Sequence, residues 1–166
     1  VSTDERFLPA EEKGAKGDPP GPYLLVATAR GLVLRTPLAP LRTASTKAGR
    51  RYVRLGEGDR VVLATVPRGE ESMFLASRSG HVVHFAIEEV NVLAGVGKGV
   101  LGIKLAEGDV CLGGLAMNAK GGVPFVVETN DHKTMDFTVR RYEPVSRGGK
   151  GLEAGEGEWV RAVGAD

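Results

Sequence analysis

The feature of this sequence that most constrains its fold is a unit of about fifty residues that occurs three times. Each copy begins with two β-rich runs joined by a turn, in the segments 23–36, 72–85 and 124–137. Periods of 20–50 residues are typical of stacked or radial repeats. Roughly four short strands per unit predict blades. We therefore expect an all-β, propeller-like array of about three roughly four-stranded blades.

Two kinds of turn recur with this period. The hairpin turn falls at Gly31, Gly80 and His132, at intervals of 49 and 52 residues. An acidic turn falls at Asp59, Asp109 and Glu158, at intervals of 50 and 49 residues. Glycine accepts positive φ in the first two hairpins, and Asn130 and Asp131 are expected to adopt it in the third. Since an active site normally occurs once, the recurring carboxylates predict turn capping rather than acid–base catalysis.

Composition and the positions of the prolines suggest where the folded part begins. The 24 glycines and 5% aromatic residues favour many tight turns over a helical core. Residues 1–22 are polar and end in three closely spaced prolines, which predicts a linker or arm. The folded domain is expected over 23–166, with repeats at about 23–71, 72–122 and 123–166. Helix is expected at most as a turn or two within 86–95.

The single cysteine, Cys111, lies in the apolar run VCLGGLA and is expected to be a small buried hydrophobe in a reducing compartment. No stretch approaches the ~20 apolar residues of a membrane-spanning helix. A cytoplasmic protein with no membrane partner is the resulting expectation. His81 and His84 stand three residues apart on a predicted strand, so they face opposite sides and do not predict a metal site.

Positive charge is concentrated in particular loops. The segment RTASTKAGRRYVR (42–54) holds five cations and no acid. Its Ser and Thr hydroxyls and its backbone amides can donate hydrogen bonds to phosphate oxygens. Glycines and cations precede the acidic turn in all three copies, so the charges are expected to be a periodic feature of one edge. The candidate phosphate-binding residues are Arg42, Lys47, Arg50, Arg51, Arg54, Lys98, Lys104, Arg140, Arg141, Arg147 and Lys150.

These motifs resemble a known family. The segment GKGVLGIKLAEGDVCLGG (97–114) resembles a blade of the C-terminal domain of bacterial type IIA topoisomerase A subunits, those of DNA gyrase and topoisomerase IV. SRGGKG resembles the gyrase box Gln-[Arg/Lys]-Arg-Gly-Gly-[Arg/Lys]-Gly, with Val145 and Ser146 in place of its first two residues. This box-like loop consists of Ser146, Arg147, Gly148, Gly149, Lys150 and Gly151. The resemblance covers about residues 23–163.

The resemblance implies a β-pinwheel, a propeller-like disc whose blades exchange strands and whose basic rim bends duplex DNA. With about three blades this chain would form a partial disc, and the cations named above would be its DNA-binding residues. It implies partners in double-stranded DNA, in the ATPase B subunit and in the catalytic core of the same polypeptide. No cofactor, catalytic residue or small-molecule substrate is expected in this chain; ATP and magnesium would belong to other parts of the holoenzyme. Gyrase and topoisomerase IV both remain open as the parent enzyme, as does the number of blades in the intact protein.

Two other functions are compatible with a repeat of this length. A propeller-type protein-interaction scaffold with no DNA role is the main alternative, because kelch repeats share the period of about 50 residues. The paired Gly-His and Trp-Asp signatures of WD repeats are absent from the sequence. A small hydrolase on a β-barrel is the other alternative, but the sequence shows no catalytic constellation.

Overall fold

The computed structural model describes residues 14, 17–43, 47–118, 120–155 and 157–164. Within these residues the chain forms three antiparallel sheets, as the repeat predicts. The predicted arm over residues 1–22 lies largely outside the described residues. The first strand of the folded part begins at Tyr23, whose hydroxyl donates to the Pro19 carbonyl at 2.7 Å.

The first sheet is built on the hairpin of the first repeat. Its strands β1 and β2 pair antiparallel, and β3 pairs with the other edge of β1. A fourth strand, β6, comes from the second repeat and pairs with β2. The strand bounds are β1 Tyr23–Thr28, β2 Leu32–Pro37, β3 Val61–Thr65 and β6 Val100–Leu101.

The second sheet repeats this arrangement one unit later. Strands β4 and β5 form its hairpin, β7 flanks β4, and the third repeat supplies β10 to the edge of β5. The bounds are β4 Ser72–Ser77, β5 His81–Ala86, β7 Cys111–Met117 and β10 Leu152–Glu153. Each of these two blades is therefore completed by a short strand from the repeat that follows it, which is the strand exchange expected of a β-pinwheel.

The third sheet has the order β11-β8-β9 in the described part of the chain. Its strands are β8 Phe125–Thr129, β9 Thr134–Phe137 and β11 Trp159–Gly164. The structure confirms the three predicted hairpins and the all-β fold. The segment 86–95 contributes a single 3-10 turn, Ile87–Glu89, and a matching turn, Ala39–Leu41, follows β2.

The core lies within and between the blades. Strand β7 contacts both β3 and β11, so the last long strand of each repeat lies on the inner side of the array. Phe74, Phe125 and Trp159 are fully buried in one cluster that joins the second and third sheets. Cys111 is fully buried in the neighbouring cluster, as expected, and burial raises the pKa of its thiol to about 12.

The third hairpin turn differs from the sequence expectation. Gly31 and Gly80 have φ of 76° and 86°, but the equivalent left-handed residue in the third copy is His132, at 61°, and not Asn130 or Asp131. The His132 amide donates to the Thr129 carbonyl at 3.0 Å, just as Gly31 and Gly80 close their turns. The turn geometry therefore imposes positive φ at one position, whichever residue occupies it.

Candidate nucleic-acid interface

Three glycine- and base-rich loops precede the acidic turns, at residues 47–54, 94–104 and 146–153. Gly99 and Gly151 explain why the second and third loops need glycine. Both have positive φ, 82° and 79°, and a Cβ on either would lie 2.2 Å from a carbonyl oxygen, of Val33 or of Val82. These loops therefore lie directly on the preceding blade, where β6 and β10 complete its sheet.

Backbone hydrogen bonds join the three loops in series. The Arg54 amide donates to the Gly97 carbonyl at 2.9 Å, and the Lys104 amide donates to the Gly149 carbonyl at 2.8 Å. Arg54 and Lys104 are equivalent positions, fifty residues apart. The bonds place Arg54 beside the loop that carries Lys98, and Lys104 beside the loop that carries Lys150. The cations thus follow one another along one edge of the array.

Most of the predicted cations on these loops are exposed. We call these seven residues the basic edge: Lys47, Arg50, Arg51, Arg54, Lys98, Lys104 and Lys150. All seven are exposed, and one of them, Arg50, also donates from its guanidinium to the Pro40 carbonyl at 2.6 Å. Such an arrangement can attract an extended polyanion, because phosphate oxygens accept hydrogen bonds from Arg, Lys and backbone amides.

Arg147, in the box-like loop, has a different environment. It is half-buried, and its guanidinium donates from Nε to the Glu89 carbonyl at 2.7 Å and from Nη1 to the Leu101 carbonyl at 3.0 Å. Its amide donates to Glu89 Oε2 at 3.2 Å. Arg147 therefore fastens the third loop to the second blade. Within the box-like loop, Lys150 is the exposed cation.

Arg140 and Arg141 do not lie on the third basic loop, where the charge pattern predicts them. They belong to the turn after β9, in which the Arg141 and Tyr142 amides both donate to the Thr138 carbonyl at 3.1 Å. This turn matches the one after β2, where the Arg42 amide donates to the Ala39 carbonyl at 3.2 Å. Tyr142 packs against Phe137, with ring centroids 4.9 Å apart, and separates these two arginines from the third loop, which begins at Ser146.

The recurring aspartates cap turns, as predicted. Asp109 Oδ1 accepts from the amides of Ser79 at 3.0 Å and Val110 at 2.8 Å, and Oδ2 accepts from the Ser79 hydroxyl at 2.6 Å. Burial alone would raise the pKa of Asp109, but the hydrogen bonds from Ser79, Ser77 and Val110 outweigh it and lower the pKa. Asp59 Oδ1 accepts from the Arg30 and Arg60 amides in the same way. Glu158 departs from the pattern, because its carboxylate pairs with Arg78 at 3.4 Å.

Sequence reasoning missed two structural arginines. Arg30 and Arg78 lie in the first two hairpin turns, and their guanidiniums donate to the Glu57 and Gly108 carbonyls of the acidic turns. Both therefore tie a hairpin to the turn that follows it in the same repeat. The signal was present in the sequence, since each arginine stands one or two residues before a hairpin-turn glycine, Gly31 or Gly80.

Neither the two strand histidines nor the short helical turns of the described residues form a metal site or a membrane span. His81 Nδ1 lies 3.1 Å from the Ser79 hydroxyl, whereas His84 is buried and stacks on Phe74. No group of three or more His, Cys, Asp or Glu side chains in the described ranges is arranged to hold a metal ion. The two 3-10 turns named above are three residues long, and no described helix could span a membrane.

The sheets and the basic edge together define a strand-exchanging, propeller-like repeat domain. The family described as "DNA gyrase C-terminal domain, beta-propeller" matches residues 22–67 and 71–115. The chain therefore belongs to the family of DNA gyrase C-terminal beta-propeller domains, as the resemblance in its motifs predicted.

The relatives of this chain include A subunits of DNA gyrase and of DNA topoisomerase 4. The A subunit of DNA gyrase from Helicobacter pylori is 32% identical over 126 residues, covering 75% of this chain and 15% of that protein. The A subunit of DNA topoisomerase 4 from Bacillus subtilis is 27% identical over 133 residues, covering 80% of this chain and 16% of that protein. The chain thus spans about a sixth of the length of these relatives.

Solved structures show the same fold. The C-terminal domain of DNA topoisomerase IV superposes with a TM-score of 0.74 at 25% identity, covering 87% of this chain and 46% of that one. The DNA gyrase A C-terminal domain superposes with a TM-score of 0.70 at 23% identity, covering 87% of this chain and 49% of that one. This chain therefore corresponds to about half of each solved domain.

Proposed function

We propose that this chain is a non-catalytic, DNA-binding part of the A subunit of a bacterial type II topoisomerase. In this proposal the basic edge takes up duplex DNA through its phosphates and bends it for the holoenzyme. The serial arrangement of the three loops, held by the Arg54–Gly97 and Lys104–Gly149 hydrogen bonds, carries the proposal. In this proposal, the arrangement brings cations that are distant in sequence onto one path for the DNA.

The chemistry of the edge favours backbone contacts over base reading. Its exposed groups are Arg, Lys and glycine amides, which bind phosphate oxygens irrespective of sequence. The described residues contain no helix long enough to enter a major groove. The buried Trp159 is not available for base stacking. Binding of this kind favours DNA that bends easily, because a flexible sequence costs less energy to deform around the edge.

Arg147 has a positioning role in this proposal rather than the direct DNA contact that its charge predicts. Its bonds to the Glu89 and Leu101 carbonyls hold the box-like loop on the second blade. Lys150 supplies the charge of that loop. The cations of the two post-strand turns, Arg42, Arg140 and Arg141, would contact DNA only where it leaves the basic edge.

The remaining parts of the reaction belong elsewhere in this proposal. Strand cleavage would be carried out by the catalytic core of the same polypeptide, and ATP hydrolysis with magnesium by the partner B subunit. Supercoiling and decatenation are both compatible with the relatives, which include gyrase and topoisomerase IV A subunits.

A salt series with matched charge variants tests this proposal. The chain is titrated with a duplex of about 40 base pairs at several salt concentrations. If about five phosphates are neutralised, the logarithm of the binding constant should fall against the logarithm of the salt concentration with a slope near −4.5. That slope corresponds to about 500-fold weaker binding when the salt is raised from about 50 to about 200 mM. Arg50→Ala/Arg51→Ala should reduce the slope by about two. Arg60→Ala/Arg161→Ala removes two exposed cations outside the basic edge and should leave the slope unchanged. Negligible binding at low salt, or equal effects of both pairs, would contradict the proposal.

A further inference from the structure

One strand position in each of the first two blades contacts the segment that leads into the next basic loop. Arg35 on β2 and His84 on β5 occupy this position, 49 residues apart. The Leu93 amide donates to the Arg35 carbonyl at 2.8 Å, and the Val145 amide donates to the His84 carbonyl at 2.7 Å. Each blade therefore holds the approach to the second or the third loop through the backbone of an equivalent residue.

The side chains of the same two residues add a second bond to each segment. Arg35 Nε donates to the Val90 carbonyl at 2.7 Å, and its Nη2 donates to the Glu88 carbonyl at 3.4 Å. On the next blade, the His84 Nδ1–H donates to the Tyr142 carbonyl at 2.5 Å. A segment that is bound by both the backbone and the side chain of one residue is fixed in direction as well as in position.

An aromatic ring on the neighbouring strand restrains each donor. The Arg35 guanidinium lies 5.4 Å from the centre of the Tyr23 ring, and the His84 ring stacks on Phe74 at 4.2 Å. Tyr23 and Phe74 belong to the buried strands β1 and β4. The donors are therefore held in one orientation, with an N–H directed at the segment.

We propose that Arg35 and His84 are positioning residues, which set the second and third loops, and with them Lys98 and Lys150, on the basic edge. Each lysine stands five residues after the amide that Arg35 or His84 binds. The two contacts differ in one property. A guanidinium remains charged and keeps its donors, whereas an imidazole changes its protonation close to neutral pH.

The surroundings of His84 favour its neutral form. Nδ1–H already has its acceptor, and Nε2 is buried with no hydrogen-bond partner among the described residues. Burial lowers the pKa of His84 below its ordinary 6.5, and the Tyr142 and Glu143 carbonyls oppose this shift without cancelling it. β4 has no ionisable side chain. On the other elements around the ring, these side chains are His81 on β5, Glu153 on β10, and Arg141, Tyr142 and Glu143 after β9.

Acid should therefore loosen the His84 contact and leave the Arg35 contact intact. The open state, in which the ring has left Phe74 and Tyr142, binds the proton more readily than the closed state. The His84 contact is thus fully present above pH 6.5 and is progressively lost as the pH falls toward the lower pKa of the closed state. The third loop becomes pH-sensitive in this way, and the second does not.

Amide hydrogen exchange of the 166-residue chain, followed by NMR without DNA, tests the two contacts. The reporters are the Val145 and Leu93 amides, compared after correction for intrinsic exchange. From about pH 7.5 to about pH 5, the opening constant at Val145 should rise by up to about thirtyfold, the factor for a group of pKa 6.5 that is protonated only when open. Leu93 should change much less. An equal rise at both amides would overturn the proposal, because His84 would then act only through global unfolding.

Two variants separate the contacts. His84→Asn keeps a side-chain N–H for the Tyr142 carbonyl but cannot be protonated, so the pH response at Val145 should disappear. Arg35→Met keeps the aliphatic stem but loses the donors, and should raise the opening constant at Leu93 at least about tenfold without affecting Val145. A wild-type pH response in His84→Asn, or equal effects of Arg35→Met on both amides, would contradict the proposal. The comparison of the two amides in the wild type needs no variant.

The link to the lysines rests on the proposed function and is measured separately. A saturating DNA duplex should lower the opening constants at both amides at least about fivefold, because opening and DNA binding oppose each other reciprocally. Lys150→Ala should reduce this effect at Val145 and not at Leu93. DNA that binds without protecting Val145 would overturn the link between His84 and Lys150. A failure to bind DNA at all would overturn the proposed function, while exchange without DNA would still decide the roles of Arg35 and His84.

Discussion

His84 and Phe74 stack face to face across strands β5 and β4, with ring centroids 4.2 Å apart and an interplanar angle of 8°. The His84 Nδ1–H donates to the Tyr142 carbonyl at 2.5 Å, which links the second blade to the segment leading into the third loop. Nε2 is buried and has no hydrogen-bond partner among the described residues. The stack therefore holds a neutral imidazole in an apolar setting.

The first prediction is that acid destabilises the fold through His84. Burial lowers the pKa of His84 below its ordinary 6.5, although the Tyr142 and Glu143 carbonyls oppose this shift. The unfolded state then binds the proton more readily, so this contribution to stability is present above pH 6.5 and is lost as pH falls toward the folded-state pKa. The midpoint of thermal unfolding, measured from about pH 8 to about pH 5, should fall.

The control for this prediction replaces one histidine at a time. His84→Phe keeps an aromatic ring on Phe74 but cannot be protonated, so the fall in midpoint below about pH 6.5 should be smaller. It should also lose about 1 kcal/mol at neutral pH, since the Tyr142 carbonyl loses its donor. His81→Asn leaves His84 in place and should retain the full fall. An unchanged pH profile in His84→Phe would contradict the assignment.

The second prediction concerns the exchange of strands between blades. Gly151→Ala should lower the free energy of unfolding by about 3 kcal/mol or more, from positive-φ strain and from a Cβ placed 2.2 Å from the Val82 carbonyl. Gly108→Ala has similar strain, at φ 76°, but nothing within 4 Å, and should lose only about 1 kcal/mol. Urea unfolding of the two variants measures the difference. Equal losses would show that the third loop does not rest on β5.

Local features of the fold could be predicted from the sequence because local chemistry determines them. Apolar runs on either side of a turn predict the hairpins, and the carboxylates of Asp59 and Asp109 recur because each accepts hydrogen bonds from a turn in its own repeat. The position of Arg140 and Arg141 could not be predicted in this way. Their charge continues the basic run, whereas hydrogen bonds to Thr138 place them in a separate turn.

The strand pairings between repeats could not be predicted from the residue pattern alone. β6 and β10 are two residues long, too short for any periodicity, and they are strands only because another repeat presents an edge. The roles of Arg147 and Lys150 were equally hidden, since both are cations among glycines. Only the carbonyls of Glu89 and Leu101, distant in sequence, distinguish the fastening residue from the exposed one.

The third prediction separates these two cations by stability. Arg147→Ala removes the donors of two carbonyls and should lower the free energy of unfolding by about 2 kcal/mol. Lys150→Ala, at an exposed position, should change it by no more than about 0.5 kcal/mol. Arg147→Lys keeps the charge but not the planar fork and should recover little of the loss. Full recovery by lysine would mean that charge, and not geometry, is what Arg147 supplies.

The fourth prediction is that DNA binding depends on Lys98 and Lys150 together. The interloop hydrogen bonds place their loops in series along one edge, so each lysine should neutralise a phosphate of the same duplex. Lys98→Ala and Lys150→Ala should each reduce the log–log salt slope by about one and the double variant by about two, because counterion release is additive over separate contacts. Binding is measured by anisotropy of a labelled duplex of about 40 base pairs, long enough to span the edge. Lys120→Ala, an exposed lysine outside the three loops, is the matched control and should leave the slope unchanged. A double variant with the slope of either single one would show that only one of the two loops touches DNA.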